Sequence, residues 1–227
     1  MRNIVLSVGG SIMLPDGNEK RYLGRLVALL RKHSNDSRFF CVTGGGRTAR
    51  YFIRLGRELG ADESYLDEVG IQVTRLNARM LISALGKDAN HVPAKDYDDA
   101  ERLGRTHKFV VMGGVASGYT TDAVAAILAE RVGAETLVIM TSVDAVYSED
   151  PKKNPKAKRH ERLDPKQLLE ITTKNQMAAG STNVIDPVAS IIISRSGIRT
   201  VVLHGDDLDS LDAVLRGKKF RGTVIEK

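Results

Sequence analysis

The chain has 227 residues, enough to bury a sizeable core as one domain, and its 42% apolar and 27% charged residues are an ordinary balance for a soluble globular protein. The longest apolar runs are far too short to span a bilayer, which excludes an integral membrane protein of the helical type. The net charge of +6 suits anionic partners, but aromatic residues are only 5% and scattered, so we expect anionic small molecules rather than nucleic acid.

Short β-branched runs alternate with stretches of helical periodicity along the whole chain. The first predicted elements are a strand at 4–8, a helix buried through Leu23, Leu26, Val27 and Leu30, and a strand at 39–43. A helix buried through Ala49, Phe52, Ile53 and Leu59 follows, and then a long helix at 66–85 whose buried stripe is Val69, Val73, Leu76 and Met80. The later elements are a strand at 109–112, a helix at 121–132, and strands at 136–141 and 200–203. Continuous apolar strands that alternate with helices indicate an α/β fold, with a largely parallel sheet covered on both faces.

The location and the domain count follow from simple features. The amino terminus leads directly into the first strand and has no signal-peptide cleavage pattern, so we expect a cytoplasmic protein. Cys41 is the single cysteine, which excludes a disulfide framework, and its apolar surroundings predict a small core residue. A Lys- and Pro-rich loop at 151–165 is the only plausible lobe boundary, and we do not interpret it as a linker.

Glycines, hydroxyls and acids accumulate where the predicted strands end. Ligands of such sheets bind beyond the carboxyl ends of the strands, which here read VGGS (8–11), TGGGRTAR (43–50), MGGVASGYTT (112–121), TSVDAVYSEDP (141–151) and HGDD (204–207). A glycine lets its N–H approach a phosphate, and a helix that begins after it adds partial positive charge. Either glycine turn alone could be only a tight turn, but several at one edge favour an anion-binding site.

The presence or absence of other sequence motifs limits the reactions that the chain could catalyse. The sequence has no G-x-x-x-x-G-K-S/T, no G-x-S-x-G, and five dispersed histidines without metal-ligand spacing. Gly44-x-Gly46-x-x-Ala49 matches a loose dinucleotide fingerprint but lacks the strand-end acid, so a nicotinamide-dependent oxidoreductase remains only a runner-up. The glycine turns, Arg47, Arg50 and the hydroxyls of GYTTDA favour phosphoryl transfer, which depends on positioning and electrostatic stabilisation. An acceptor that is itself a phosphate or carboxylate needs no general base, and none is visible.

Six blocks give a more specific indication. In the order VGGS, TGGGRTAR, LDEVGIQVTRLNARML, MGG…GYTTDAVAAILAE, TSVDAVYSEDPKKNPKAK and AGSTNVIDPVAS, with similarity from Ile4 to the closing GTVIE, the chain resembles the archaeal-type uridylate kinases of the amino acid kinase family. The resemblance implies a three-layer α/β/α sandwich around a mainly parallel sheet, in one domain whose acceptor-binding part is about 1–130 and whose ATP-binding part is about 131–227. It also implies phosphoryl transfer from ATP to UMP in pyrimidine nucleotide biosynthesis, Mg²⁺ with the ATP, and a homohexamer built as a trimer of dimers.

The same resemblance assigns residues to the two substrates. The ATP phosphates would meet Gly9, Gly10, Ser11, Gly46 and Arg50, and the ATP nucleoside would meet Thr141, Ser142, Tyr147 and Asp150. UMP would meet Gly45, Asp67, Gly114, Val115, Ala116, Ser117, Gly118, Tyr119, Thr120 and Thr121. The catalytic residues would be Arg50, Asp144 and Asp186, the two acids orienting basic groups or magnesium. Simpler explanations remain for the acids and for Tyr147: helix caps, a turn, or a half-buried aromatic residue.

Three positions depart from the family pattern. Ser7 lies where the wider family usually has a lysine, which leaves the transition-state charge to Arg50, Arg47 or a lysine such as Lys174. Val115 and Ala116 replace residues that could donate hydrogen bonds, and Ser142 lies where asparagine is common. The alternatives are therefore a kinase of the same fold that acts on a different phosphate or carboxylate, and a non-catalytic anion-binding or storage protein on that fold.

Overall fold

Strands and helices alternate along the chain in a computed structural model that describes residues 1–14, 17–149, 151, 154–176 and 184–227. The strands are β1 (Arg2–Val8), β2 (Ser37–Thr43), β3 (Phe109–Met112), β4 (Thr136–Thr141), β5 (Val146–Tyr147), β6 (Arg159–His160), β7 (Arg162–Leu163), β8 (Thr200–His204) and β9 (Thr223–Ile225). The helices are α1 (Gly10–Met13), α2 (Glu19–His33), α3 (Gly46–Glu58), α4 (Glu63–Leu85), α5 (Tyr97–Gly104), α6 (Thr121–Arg131), α7 (Pro165–Gln176), α8 (Pro187–Ser196) and α9 (Leu208–Leu215), with a short 3-10 turn at Gly86–Asp88.

The central sheet has seven strands in the order β3-β2-β1-β4-β8-β9-β7. β1 pairs in parallel with both β2 and β4, and the pairs β2–β3, β4–β8 and β7–β9 are also parallel. Only β8 and β9 run antiparallel in this sheet, among the residues that the structure describes. The predicted α/β fold with a mainly parallel sheet is thus confirmed, and all five predicted strands lie in that sheet.

Each face of the sheet is covered by helices, which gives three layers. Alternate residues of a strand point to opposite faces, so Ile4 and Leu6 join one apolar core while Val5 joins the other. The first core packs against α2, α4 and α9, and the second against α5, α6 and α8. None of the described helices is both long and apolar enough to cross a membrane. The carboxyl ends of β1, β2, β3, β4 and β8 therefore meet at one edge between the two helical layers.

The buried faces predicted for α3 and α4 are partly wrong. On α4, Val73 is buried as predicted and Val69 half-buried, but Leu76 is 53% and Met80 42% exposed. The helix instead packs its Thr74, Asn77, Ala78 and Leu81 side against the sheet. On α3, Ala49 is buried and Ile53 half-buried, whereas Phe52 and Leu59 are exposed, the latter by 78%. The periodicity located both helices correctly, but it followed an apolar face that stays exposed among the described residues.

Candidate active site

Two glycine turns pack against each other, backbone to backbone, at the ends of β1 and β2. The N–H of Gly44 donates to the carbonyl oxygen of Val8 at 2.9 Å. A β-carbon on Gly10 would lie 2.4 Å from both the Gly44 carbonyl oxygen and the Gly46 nitrogen, so no side chain fits there. Gly46 has a φ of +64°, which other residues adopt only with strain. Both turns therefore require glycine for structural reasons, and they also present bare backbone at the sheet edge.

Arg50 joins the two turns. It lies on the second turn of α3, which begins at Gly46, and its Nη2 donates to Oγ of Ser11 at 3.0 Å. The residue at the N-cap of α3 is Gly45, which has no side chain to cap the helix. The structure thus brings Gly46, Arg50 and Ser11 together as an arrangement suited to hold phosphate oxygens.

A cavity of about 400 Å³ opens beside Arg50, between α3, α4 and the loop that follows β3. Arg50 and Asp67 carry the only charges among its described lining residues. The residues of the predicted acceptor site that line it are Gly45, Asp67, Gly114, Ala116, Gly118, Tyr119, Thr120 and Thr121. Val115 and Ser117 belong to the same loop but do not line the cavity, and Val115 packs against the apolar core. Most of the predicted acceptor residues therefore share one concave site.

Helix α4 holds that loop in place. The N–H of Gly118 donates to Oδ2 of Asp67 at 2.7 Å, and the N–H of Gly114 donates to Oγ1 of Thr74 at 2.7 Å. The backbone carbonyl of Thr74 in turn accepts from Oγ1 of Thr43 at 2.9 Å, and Nδ2 of Asn77 donates to the Gly44 carbonyl oxygen at 2.7 Å. Thr74 and Asn77 were not predicted from the sequence, and only their place on the sheet-facing side of α4 identifies them.

Asp186 lies beside the acceptor loop. It caps α8 by accepting from the backbone N–H groups of Val188 at 2.8 Å and Ala189 at 3.1 Å. Its other oxygen accepts from the hydroxyl of Thr120, which itself caps α6 through the N–H of Ala123. The helix-cap interpretation of Asp186 is thus correct, and the same carboxylate also links the amino termini of α6 and α8.

Asp122, on the first turn of α6, is a site residue that the sequence analysis did not select. The hydroxyl of Ser7 donates to its Oδ1 at 2.6 Å. Burial raises the pKa of Asp122 to about 6; the Ser7 hydrogen bond opposes this rise and the nearby negative charge of Asp186 adds to it. The signal was present, because Asp122 lies inside the GYTTDA block, directly after the hydroxyl-rich loop.

The end of β4 approaches the first glycine turn from the other side. The N–H of Gly9 donates to the Met140 carbonyl oxygen at 3.0 Å, and the carbonyl oxygen of Thr141 accepts from Gly205 at 2.9 Å. Ser142 follows as an exposed residue, and Lys174 is exposed on the last turn of α7. Asp150, predicted to contact the ATP nucleoside, lies outside the described residues.

Asp144 and Tyr147 form a cluster with two arginines. The hydroxyl of Tyr147 donates to Oδ1 of Asp144 at 2.8 Å, and Nε of Arg159 and of Arg221 each donate to its Oδ2 at 3.2 Å. Burial raises the pKa of Asp144, but the hydrogen bonds from Tyr147 and the arginines outweigh it and lower the pKa below its usual value. Asp144 therefore orients basic groups here, and its carboxylate does not line the cavity beside Arg50.

Comparison with known proteins gives concordant results. The sequence profile of the amino acid kinase family matches residues 2–204. The uridylate kinase of Methanoculleus marisnigri is 47% identical over 225 residues, covering 99% of this chain and 96% of the relative, and that of Pyrococcus abyssi is 42% identical over 223 residues, covering 98% and 99%. The crystal structure of uridylate kinase from Archaeoglobus fulgidus superposes with a TM-score of 0.88 at 40% identity, covering 99% of this chain and 100% of the other.

Proposed function

Because the chain belongs to the amino acid kinase family, we propose that it is a uridylate kinase, which transfers the γ-phosphoryl group of ATP to UMP and releases UDP and ADP. Similarity to uridylate kinases over nearly the full length of both chains supports this function. The structural observation that carries the proposal is the hydrogen bond between Arg50 and Ser11. It connects the glycine turn expected to hold the ATP phosphates with the cavity expected to hold the acceptor.

The cavity offers groups that match a nucleoside monophosphate. A guanidinium such as that of Arg50 pairs with phosphate oxygens, and a carboxylate such as that of Asp67 accepts hydrogen bonds from ribose hydroxyls. The Ala116 side chain cannot donate a hydrogen bond to the base, so base recognition falls to the backbone of the loop and to the hydroxyls of Tyr119 and Thr121. We therefore expect the acceptor site to recognise the base mainly through hydrogen bonds with backbone groups.

The proposed reaction needs little beyond this arrangement. An oxygen of the UMP phosphate attacks the γ-phosphorus of ATP, and the bond from that phosphorus to the β,γ-bridging oxygen breaks, leaving ADP. The attacking oxygen is already anionic, so no general base is required. Arg50 and the backbone amides at Gly10 and Gly46 would stabilise the charge on the transferring group, in a site where preorganised donors act strongly.

Magnesium fits the described residues as a companion of ATP rather than as a resident ion. No group of three or more His, Cys, Asp or Glu side chains suited to a metal occurs in the described part of the chain. Mg²⁺ is commonly held by one or two carboxylates plus substrate phosphates, and Asp122 and Asp186 are two of the acids at this edge of the sheet. When bound, the ion would neutralise charge on the phosphates. We assign the acceptor mainly to the part of the chain up to about residue 130 and the ATP nucleoside to the remainder, with the ATP phosphates at the glycine turns that follow β1 and β2.

The oligomer is part of the proposal. Helices α3 and α4 expose a set of large apolar side chains, which are Tyr51, Phe52, Leu55, Leu59, Tyr65, Leu76 and Met80. Exposed apolar groups of this number typically mark a protein–protein interface. We propose that this apolar face forms the dimers of a homohexamer, a trimer of dimers, in the cytoplasm.

An ADP-release assay with a panel of acceptors tests the function. The panel contains UMP, CMP, dTMP, isopentenyl phosphate and acetylglutamate, each with ATP and Mg²⁺. We expect turnover with UMP well above that with the other acceptors. Turnover with a different acceptor and none with UMP would assign the chain to another kinase of this fold. Tight anion binding without turnover on any acceptor would favour a storage or binding protein.

A further inference from the structure

A two-stranded ribbon follows the end of β4 and carries a residue that we assign to the nucleoside of ATP. β5 and β6 pair antiparallel, so Tyr147 lies opposite Arg159. The ribbon is fastened to the start of β9 by two hydrogen bonds through one side chain. The N–H of Val146 donates to Oγ1 of Thr223 at 2.8 Å, and that hydroxyl donates to the carbonyl oxygen of His160 at 2.5 Å. The backbone around Tyr147 is therefore attached to the main sheet.

The side chain of Tyr147 is held separately, through Asp144. Oδ1 of Asp144 accepts from the tyrosine hydroxyl, and Oδ2 accepts from Nε of Arg159 and Nε of Arg221. Arg159 also donates through Nη2 to the Gly222 carbonyl oxygen at 3.3 Å, just before β9. The Asp144 side chain is 20% exposed, so these charge-assisted bonds lie in a partly desolvated place where they are stronger than in bulk water. The phenol is thus restricted to one orientation.

We propose that Arg159 and Arg221 are positioning residues of the donor site, which act through Asp144 to hold Tyr147 against the nucleoside of ATP. This inference rests on the proposed function, which assigns Tyr147 to ATP. It gives Asp144 a role in donor binding in place of the catalytic role that the family resemblance implies. Neither arginine lines the cavity for the acceptor, so their effect is confined to the donor nucleotide.

The two arginines should not contribute equally. The side chain of Arg159 is 27% exposed and makes a second contact with Gly222, whereas that of Arg221 is 73% exposed. Ion pairs of exposed side chains contribute little, because solvent screens them and the side chains lose freedom. Loss of Arg159 is therefore expected to weaken donor binding more than loss of Arg221.

The test measures binding of a non-hydrolysable ATP analogue by calorimetry, which needs no acceptor. We expect Asp144→Asn and Arg159→Gln to weaken binding about tenfold, as loss of hydrogen bonds to a charged group does, and Arg221→Gln about threefold. In the assay with UMP, KM for ATP rises by the same factors, while kcat and KM for UMP change by less than about twofold. Lys219→Gln is the matched control, because Lys219 is exposed in the same loop and forms no hydrogen bond or ion pair with the described residues.

A double-mutant cycle separates positioning from general destabilisation. The cycle combines Arg159→Gln with Tyr147→Phe. If Arg159 acts through Tyr147, the double variant should bind the analogue as tightly as the single variant that has the lower affinity of the two. Additive effects, unchanged binding in Asp144→Asn, or a fall in kcat with unchanged affinity would each overturn the proposal. If Arg159→Gln fails to fold, the same double-mutant cycle is measured with Arg221→Gln, because Arg221 is exposed. A wild-type protein that binds the analogue but does not phosphorylate UMP would refute the proposed function alone.

Discussion

The hydroxyl of Ser7 donates a 2.6 Å hydrogen bond to Asp122 and so joins the end of β1 to the first turn of α6. The Ser7 hydroxyl is neutral, and it lies at a position where the wider family usually has a lysine. An ammonium would lower the pKa of the carboxyl group, whereas burial and Asp186 raise the pKa of Asp122 to about 6. The absence of a lysine at this position thus has a measurable electrostatic consequence.

Replacing Asp122 by asparagine should stabilise the protein above pH 6. The folded pKa lies above the ordinary aspartate value of about 4, so stability is fully present below that value and is lost as pH rises through about 6. Asparagine can still accept the Ser7 hydrogen bond but carries no charge. Urea unfolding should show Asp122→Asn close to wild type near pH 4 and more stable by about 3 kcal/mol at pH 7.5. Asp36→Asn, at an exposed position, is the control; a difference that does not vary with pH would contradict the account.

Arg50→Ala tests the bridge between the glycine turns. Because Arg50 would act mainly on the charge of the transferring phosphoryl group, kcat should fall roughly a hundredfold or more while both KM values change little. Steady-state kinetics with UMP and ATP measure this. Arg54→Ala, one turn further along α3 and outside the cavity lining, should be close to wild type. An unchanged kcat in Arg50→Ala would remove the catalytic role.

Asp67→Asn separates acceptor binding from loop structure. The amide keeps an oxygen that can accept from the N–H of Gly118 but is a weaker acceptor for ribose hydroxyls. We expect KM for UMP to rise about tenfold, while the affinity for ATP is retained. The exposed neighbour Glu68 supplies the control Glu68→Gln. Equal weakening of both substrates would show instead that Asp67 acts by holding the loop.

An ion cluster far from the site makes a second pH prediction. Asp212 lies 2.7 Å from His33, 3.0 Å from Lys32 and 2.6 Å from Arg216. The hydrogen bonds from His33 and Lys32 lower the pKa of Asp212 to about 2, so its contribution to stability is present above the unfolded pKa of about 4 and is lost as pH falls towards 2. Asp212→Asn should therefore cost about 1–2 kcal/mol at pH 6, because the exposed Lys32 is screened, and about half of that at pH 3. Urea unfolding at both pH values checks this, and an equal cost at both would contradict it.

The apolar face of α3 and α4 predicts the assembly. Leu59→Glu places a charge on a side chain that is 78% exposed in the single chain. If this face forms the dimer, the variant should show a lower molar mass by light scattering, since burying an unpaired carboxylate is costly. Ala28→Glu, on the exposed side of α2, should leave the molar mass unchanged. An unchanged mass for Leu59→Glu would exclude this face as the interface.

The sequence predicted those parts of the fold that depend on local pattern. Continuous apolar strands and helical spacing are local, so the parallel sheet and the gathering of GGS, GGGR and GYTT at one edge could be inferred. The side of α4 that faces the sheet could not be inferred, because Thr74 and Asn77 are polar residues whose hydrogen-bond partners lie far away in the sequence. Leu76 and Met80 were predicted to be buried because an exposed apolar face has the same periodicity as a face that packs on the core.

The candidate site was predictable to a similar degree. The family resemblance selected Arg50, Asp67 and the loop at 114–121, most of which the structure places around one cavity. Asp122 was overlooked because its significance comes from Ser7, 115 residues away. The ribbon of β5 and β6 has strands of only two residues each, too short for any pattern, so the contact of Arg159 with Asp144 emerged only from the structure.

Isotope tracing can follow the γ-phosphoryl group of ATP directly to UMP. The protein is incubated with Mg²⁺, UMP and ATP whose γ-phosphoryl oxygens are heavy, and the products are analysed by mass spectrometry. We expect UDP that carries the heavy oxygens on its β-phosphoryl group, formed at a rate that Arg50→Ala strongly reduces. Heavy inorganic phosphate without labelled UDP, or labelling of a different acceptor in preference to UMP, would exclude direct transfer to UMP.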